Sequence, residues 1–216
     1  MNVFILNTGR CGSTTFVKAC GHIKNYTAGH ETRSRVIGTD RLHYADNHIE
    51  ADNRLSWFLG RLDKRYGDGA FYVHLLRGAE ETAISYSKRS FKGGIIKAYF
   101  ESIVMGGDRR DILEIEPDEA FLISLDYCDT VNSNIELFLK EKPSKMVVKL
   151  ENVKEDFARF WTLIGAEGNL DDALQEWDKK YNPTLEKEIR KKPLLRRVTR
   201  KIYRIGRKIP QFISEA

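Results

Sequence analysis

Three short apolar runs, each ending at a turn, constrain this chain more than anything else. They are Asn2 to Asn7 (N-V-F-I-L-N), Phe71 to Leu76 (F-Y-V-H-L-L) and Lys145 to Leu150 (K-M-V-V-K-L). The first two, near-continuous in apolar residues, read as strands covered on both faces, which occur in parallel sheets, and the third reads as a further strand. Helical patterns separate them. Thr14 to His22 reads as a helix, and so does a segment from about Ile49 to Tyr66, whose Ile49, Leu55, Phe58, Leu59, Leu62 and Tyr66 fall largely on one face. It stops at Gly67-Asp68-Gly69. Further helices are expected from Glu80 to Arg89, from Gly93-Gly94 to about Met105, from Pro117 to near Pro143, and from Val153 to Ile164 with Gly165 as the cap. Strand alternating with helix predicts parallel pairing through right-handed crossovers, giving an open, mostly parallel α/β sheet flanked by helices. Ligands of such sheets sit outside the carboxyl ends of the strands. The turns after Asn7, Leu76 and Leu150 are therefore where chemistry is expected.

Composition supports one globular domain, expected over residues 1–184: of 216 residues, 41% are hydrophobic and 31% charged. Cys11, Cys20 and Cys128 form no C-x-x-C pair, which argues against a disulfide framework or a zinc ribbon and favours a reducing, cytoplasmic setting. No run approaches the roughly 18–20 apolar residues that span a bilayer, and the first apolar run lacks the flanks of a signal peptide. The net charge of +5 is uneven. Residues 185–216 carry 11 Lys and Arg against three Glu, a local +8, so residues 1–184 total 5 − 8 = −3. A mildly acidic body is not built to hold long nucleic acid, and no nucleic-acid partner is expected. Within the tail, Leu195, Val198, Ile202, Ile205 and Ile209 recur at intervals of 3 and 4, predicting a basic amphipathic helix. Such a helix packs on the domain with a solvated cationic face, or else attracts a membrane surface or an acidic glycan.

The turn after the first strand reads Thr8-Gly9-Arg10-Cys11-Gly12-Ser13-Thr14-Thr15. Glycines let a backbone approach an oxyanion, a helix N-terminus points N–H groups and a positive dipole end at it, and Arg and hydroxyl side chains add donors. The same residues also describe a plain turn with Ser13 or Thr14 as N-cap. The standard P-loop lysine is missing, the dinucleotide G-x-G-x-x-G fails, and no Arg follows Cys11 before Arg33, which excludes a phosphatase-type loop. After the second strand, Arg77 leaves the strand and Ser85 follows eight residues later. Folded back, they could grip one phosphate from two sides. Otherwise Arg77 pairs with Glu80 or Glu81 and Ser85 faces solvent.

Taken together, the two turns resemble those of sulfotransferases that use 3′-phosphoadenosine 5′-phosphosulfate. Gly9-Arg10-Cys11-Gly12-Ser13-Thr14 is similar to that family's first-strand loop, with Cys11 where Ser is usual. Arg77 through Ser85-Tyr86 is similar to its second motif, an Arg at a strand end followed by Ser-Tyr. A looser likeness covers Val147 to Asn152, Phe157, Phe160 and Leu163 to Ala166, so that the resemblance spans about residues 2 to 166. No counterpart of the cytosolic branch's C-terminal R-K-G clamp is present.

The resemblance implies a P-loop NTPase-like sulfotransferase architecture. It implies a donor cradle of Gly9, Arg10, Cys11, Gly12, Ser13, Thr14 and Thr15 for the 5′-phosphosulfate, with Arg77 and Ser85 for the 3′-phosphate. The reaction implied is in-line transfer to a hydroxyl acceptor, a carbohydrate or small molecule, releasing adenosine 3′,5′-bisphosphate without a metal. Transfer of this kind depends on positioning and charge neutralisation, a role that falls to Arg10, and on a general base. Glu31, in Gly29-His30-Glu31-Thr32, is the first candidate base and His30 the second, with His43 and His48 further on; paired with Arg33 or Arg35, Glu31 would be ordinary surface. His74, inside a strand, is expected to be a core histidine, and His22 a helix-end dipole partner. Two other readings compete. One is a P-loop-like nucleotide kinase or NTPase with a degenerate loop. The other is a non-catalytic anion-binding module that uses the basic tail.

Overall fold

A computed structural model describes residues 1–88, 94–105, 115–179 and 181. The basic segment 185–216, expected as an amphipathic helix, lies outside the described residues, as do Arg89 and Gly93. Five parallel strands form one sheet in the order β2-β3-β1-β4-β5. They are β1 (Val3–Leu6), β2 (Thr27–His30), β3 (His48–Ala51), β4 (Phe71–Leu76) and β5 (Lys145–Lys149). The helices are α1 (Ser13–Cys20), α2 (Leu59–Tyr66), α3 (Ala79–Lys88), α4 (Ile95–Ala98), α5 (Pro117–Leu139), α6 (Val153–Leu163) and α7 (Leu170–Gln175). The expected α/β architecture is thus present. Among the described residues, no helix is long and apolar enough to cross a membrane.

β1 explains the sheet's position. Val3, Phe4, Ile5 and Leu6 are all fully buried, because the strand lies between β3 and β4 with helices over both faces. Strand side chains alternate between faces. Val3 and Ile5, with Val73 and Leu75, therefore pack on Phe16 of α1 and on Phe157 and Phe160 of α6. Phe4 and Leu6, with Tyr72, join the opposite cluster with Leu62 of α2 and Tyr127, Val131 and Ile135 of α5.

The segment Ile49 to Tyr66 is not one helix: it holds β3, a 3₁₀ turn over Asn53–Trp57, and only then α2. Its first third is strand because Ile49, Glu50 and Ala51 pair with Val3, Phe4 and Ile5 at the sheet centre, and tertiary burial overrides the helical spacing. β2, a four-residue edge strand without an apolar run, is likewise absent from the sequence reading. The helix expected from Gly93-Gly94 begins at Ile95 and ends as a π-helical turn over Tyr99–Val104.

The strand order creates a switch point. From β1 the chain goes to the β2/β3 side, and after β3 it crosses to β4 on the other side of β1. α1 packs in the first core cluster, whereas Tyr86 of α3 packs against the second. A crevice between the turns after β1 and β4 is the consequence.

Candidate functional site

The turn after β1 has a backbone that few sequences could adopt. Gly9, Arg10 and Gly12 have φ of 81°, 60° and 90°. A Cβ on Gly9 would lie 2.3 Å from the Tyr86 hydroxyl and 2.9 Å from Asn53 Nδ2, and one on Gly12 would lie 2.9 Å from Leu150 Cδ1. Glycine is required at both positions for conformation and for space. Arg10, a non-glycine residue in the left-handed region, is kept there by its surroundings.

Those surroundings are hydrogen bonds from several elements. The Tyr86 hydroxyl of α3 and the Tyr127 hydroxyl of α5 both donate to the Thr8 carbonyl, at 2.6 and 2.9 Å. Burial pushes both phenols well up, so each stays a neutral donor. Asn7 Oδ1 accepts from the Gly9 N–H at 2.8 Å and faces the Cys11 thiol at 3.5 Å. Arg77 Nη1 donates to the Arg10 carbonyl at 3.1 Å. The N-cap of α1 is Gly12, not Ser13 or Thr14, and no side chain caps the helix. Ser13, Thr14 and Thr15 therefore form its first turn, where N–H groups lack intrahelical acceptors.

The two predicted turns come together. Arg10 Nε donates to Ser85 Oγ at 3.0 Å, so Arg10, Arg77 and Ser85 share the crevice between β1 and β4. Ser85 is buried rather than facing solvent. Among the described residues no carboxylate lies within ion-pairing distance of Arg77, so the pairing with Glu80 or Glu81 does not form. The turn after β5 closes the group, with Glu151 Oε1 accepting from the Gly78 N–H at 3.2 Å. Cys11 contributes no donor toward solvent: it is fully buried, and burial pushes its thiol up to about 12 despite nearby N–H groups and the Arg77 charge. It is no nucleophile. Two guanidinium groups, an uncapped helix start and the hydroxyls of Ser13 and Ser85 suit an anionic ligand with two charged ends. The glycine positions that bring backbone to the crevice fit such a ligand as well.

The candidate bases separate. His30 ends β2 and its Nε2 lies 3.1 Å from Ser13 Oγ, directly on the first turn of α1. Glu31, next in the chain, has φ of 55° and its Oε2 lies 2.6 Å from Arg54 Nη1, so its partner is Arg54 rather than Arg33 or Arg35. Burial works against the Arg54 charge, but Glu31 and Asp52 outweigh it and hold the guanidinium above its ordinary range. The unusual φ of Glu31 is fixed from both sides. Its N–H bonds the Ala51 carbonyl at 3.0 Å, and buried Glu50 accepts from the Thr32 N–H and hydroxyl at 2.8 and 2.6 Å. His48 begins β3, at the amino end of the sheet, where it bonds Glu50 at 2.9 Å; His43 is exposed beside Asp40. Neither reaches the crevice. His74 is the expected core histidine, buried against Asn132 Oδ1 at 3.1 Å, with burial lowering its pKa. His22 follows the carboxyl end of α1, as expected, and also meets Glu176 at 3.2 Å across the α1–α7 side of the fold.

Several residues here carry no mark in the sequence reading. The helical spacing of Ile49–Tyr66 places Asn53 and Arg54 in a helix interior, yet the run Asp52-Asn53-Arg54 directly follows β3, at a strand end like the other turns. Tyr127 sits in a long amphipathic helix and gives no local signal at all. Compared with known proteins, the chain matches no family model and no curated protein sequence.

Proposed function

We propose that this chain is a sulfotransferase, transferring a sulfuryl group from 3′-phosphoadenosine 5′-phosphosulfate to a hydroxyl acceptor, on a P-loop-like scaffold in the cytoplasm. One observation carries the reading: Arg10 of the turn after β1 joins Arg77 and Ser85, 67 and 75 residues further along the chain, in one hydrogen-bonded group at the switch point. An isolated anion turn needs only the first strand end, whereas a nucleotide phosphorylated at both ends needs two.

When bound, the donor supplies an activated sulfuryl group and a phosphate leaving group. Arg10, the first turn of α1 and the Ser13 hydroxyl hold the sulfated end and offset the negative charge that develops there. Arg77 and Ser85 hold the ribose phosphate and orient the nucleotide. Glu31 takes the acceptor proton; His30, bonded to Ser13, is the second candidate for that role. The Arg54 ion pair orients the Glu31 carboxylate.

A thermal-shift titration with adenosine 3′,5′-bisphosphate, beside ATP with magnesium, tests the reading on the wild type, Arg10→Ala and Arg77→Ala. At a hundredfold excess over Kd the bisphosphate stabilises by about 2.7 kcal/mol, a rise of roughly 5–10 °C. Both variants should lose most of that rise. A shift with ATP and magnesium alone would favour a kinase or NTPase. Equal shifts in all three proteins would remove the site assignment.

A further inference from the structure

A cleft of about 480 Å³ opens beside the crevice, between the 3₁₀ turn after β3 and the α4/π-helical segment. That volume is in the range of small-molecule sites. The walls are Trp57, Phe58, Ile95, Ala98, Tyr99 and Ile103, and Arg54 marks one polar end. Trp57 and Ile103 are 40% and 56% exposed, so the apolar surface is presented rather than packed away. Trp57 and Tyr99 form an aromatic wall with ring centroids 6.3 Å apart. The Tyr99 hydroxyl is bonded to Asp126 and Thr130, so it turns from the cleft and leaves only its ring to line it.

Two contact chains join this cleft to the turn after β1. Arg54 pairs with Glu31, and the adjacent Asn53 packs directly on Gly9. On the other side Tyr99 packs edge-on against Tyr127, at 5.5 Å, and Tyr127 donates to the Thr8 carbonyl. We propose that this cleft is the acceptor site and that it takes an aromatic alcohol, with the ring between Trp57, Tyr99 and Ile103 and the hydroxyl at the Glu31–Arg54 end. A sugar is disfavoured. It would bring several hydroxyls against a wall whose polar side chains are Arg54 and Ser102, and each hydroxyl buried without a partner opposes binding. The acceptor role rests on the sulfotransferase reading above.

The test is calorimetric titration of the full chain with 2-naphthol and with methyl glucoside, each with and without adenosine 3′,5′-bisphosphate, on the wild type and Ile103→Asp. Ile103 is exposed, so the substitution leaves the core intact. Naphthol should bind, the glucoside should not, and Ile103→Asp should weaken naphthol at least tenfold while bisphosphate affinity is unchanged. Naphthol binding that Ile103→Asp leaves as it was, or glucoside binding as tight as naphthol's, overturns the proposal. Bisphosphate binding without naphthol binding removes the acceptor assignment alone. Naphthol binding sensitive to Ile103→Asp, on a chain that ignores the bisphosphate, removes the transferase reading and with it the acceptor role.

Discussion

Replacing Gly9 by Ala tests whether the turn after β1 is held by the Tyr86 hydroxyl. A left-handed alanine costs about 1–2 kcal/mol relative to glycine. The new methyl would lie 2.3 Å from the Tyr86 oxygen, which must move and abandon its 2.6 Å bond to the Thr8 carbonyl. The carbonyl keeps Tyr127, but the displaced hydroxyl is left buried and unpaired, at about 1–3 kcal/mol. Gly9→Ala should therefore lower stability by about 3 kcal/mol in urea unfolding. Tyr86→Phe alone removes the bond to the Thr8 carbonyl and the hydroxyl's contact with the Asn53 side chain, and should cost about 1 kcal/mol. In the double variant the obstructing oxygen is gone, so the total should fall short of the sum by about 1–2 kcal/mol. Independent sites add to within about 0.3–0.5 kcal/mol. Additivity within that margin, at unchanged m values, would refute the clash and the latch it implies.

Other perturbations follow the same geometry. Asp52 and Arg41 form an ion pair with both side chains almost fully buried, so Asp52→Ala should cost about 3–5 kcal/mol by leaving a buried cation. Denaturant midpoints should show a smaller loss in the Arg41→Ala/Asp52→Ala double variant than the sum of the singles. Stability should decline as pH falls below about 6.5, because buried His74 has a lowered pKa and the unfolded chain binds that proton more readily. His74→Gln should flatten the slope below about pH 6.5, as read by urea midpoints across pH. Glu176 acts in a lower window: Lys179 and Tyr181 hold its carboxyl at about 2, so its contribution is present above 4.5 and lost below.

The central strands and the two arginine turns were legible in the sequence because each is local. Val3–Leu6 and Phe71–Leu76 are apolar runs; Arg77 directly follows the second, and Arg10 stands four residues beyond the first. What escaped depends on charge buried by partners far along the chain. β3 carries Glu50, and Asp52 follows one residue after it; both are fully buried, the one satisfied by Thr32 and His48, the other by Arg41 and Arg54. Read alone, such carboxylates suggest a solvated helix face, and Ile49, Leu55 and Leu62 supply a helical period by coincidence. Arg54 reaches Glu31 only because the strand β3, not a helix, precedes it. The Arg10–Ser85 bond required knowing that α1 and α3 lie on opposite faces of the sheet, which only the strand order reveals.

The doubly latched Thr8 carbonyl has a thermodynamic consequence. α3 and α5 each lend it a hydroxyl, so the turn's main chain is ordered by elements that form the core rather than by whatever it binds. Its conformational entropy is surrendered during folding, leaving association to proceed onto a preorganised surface with little further ordering cost.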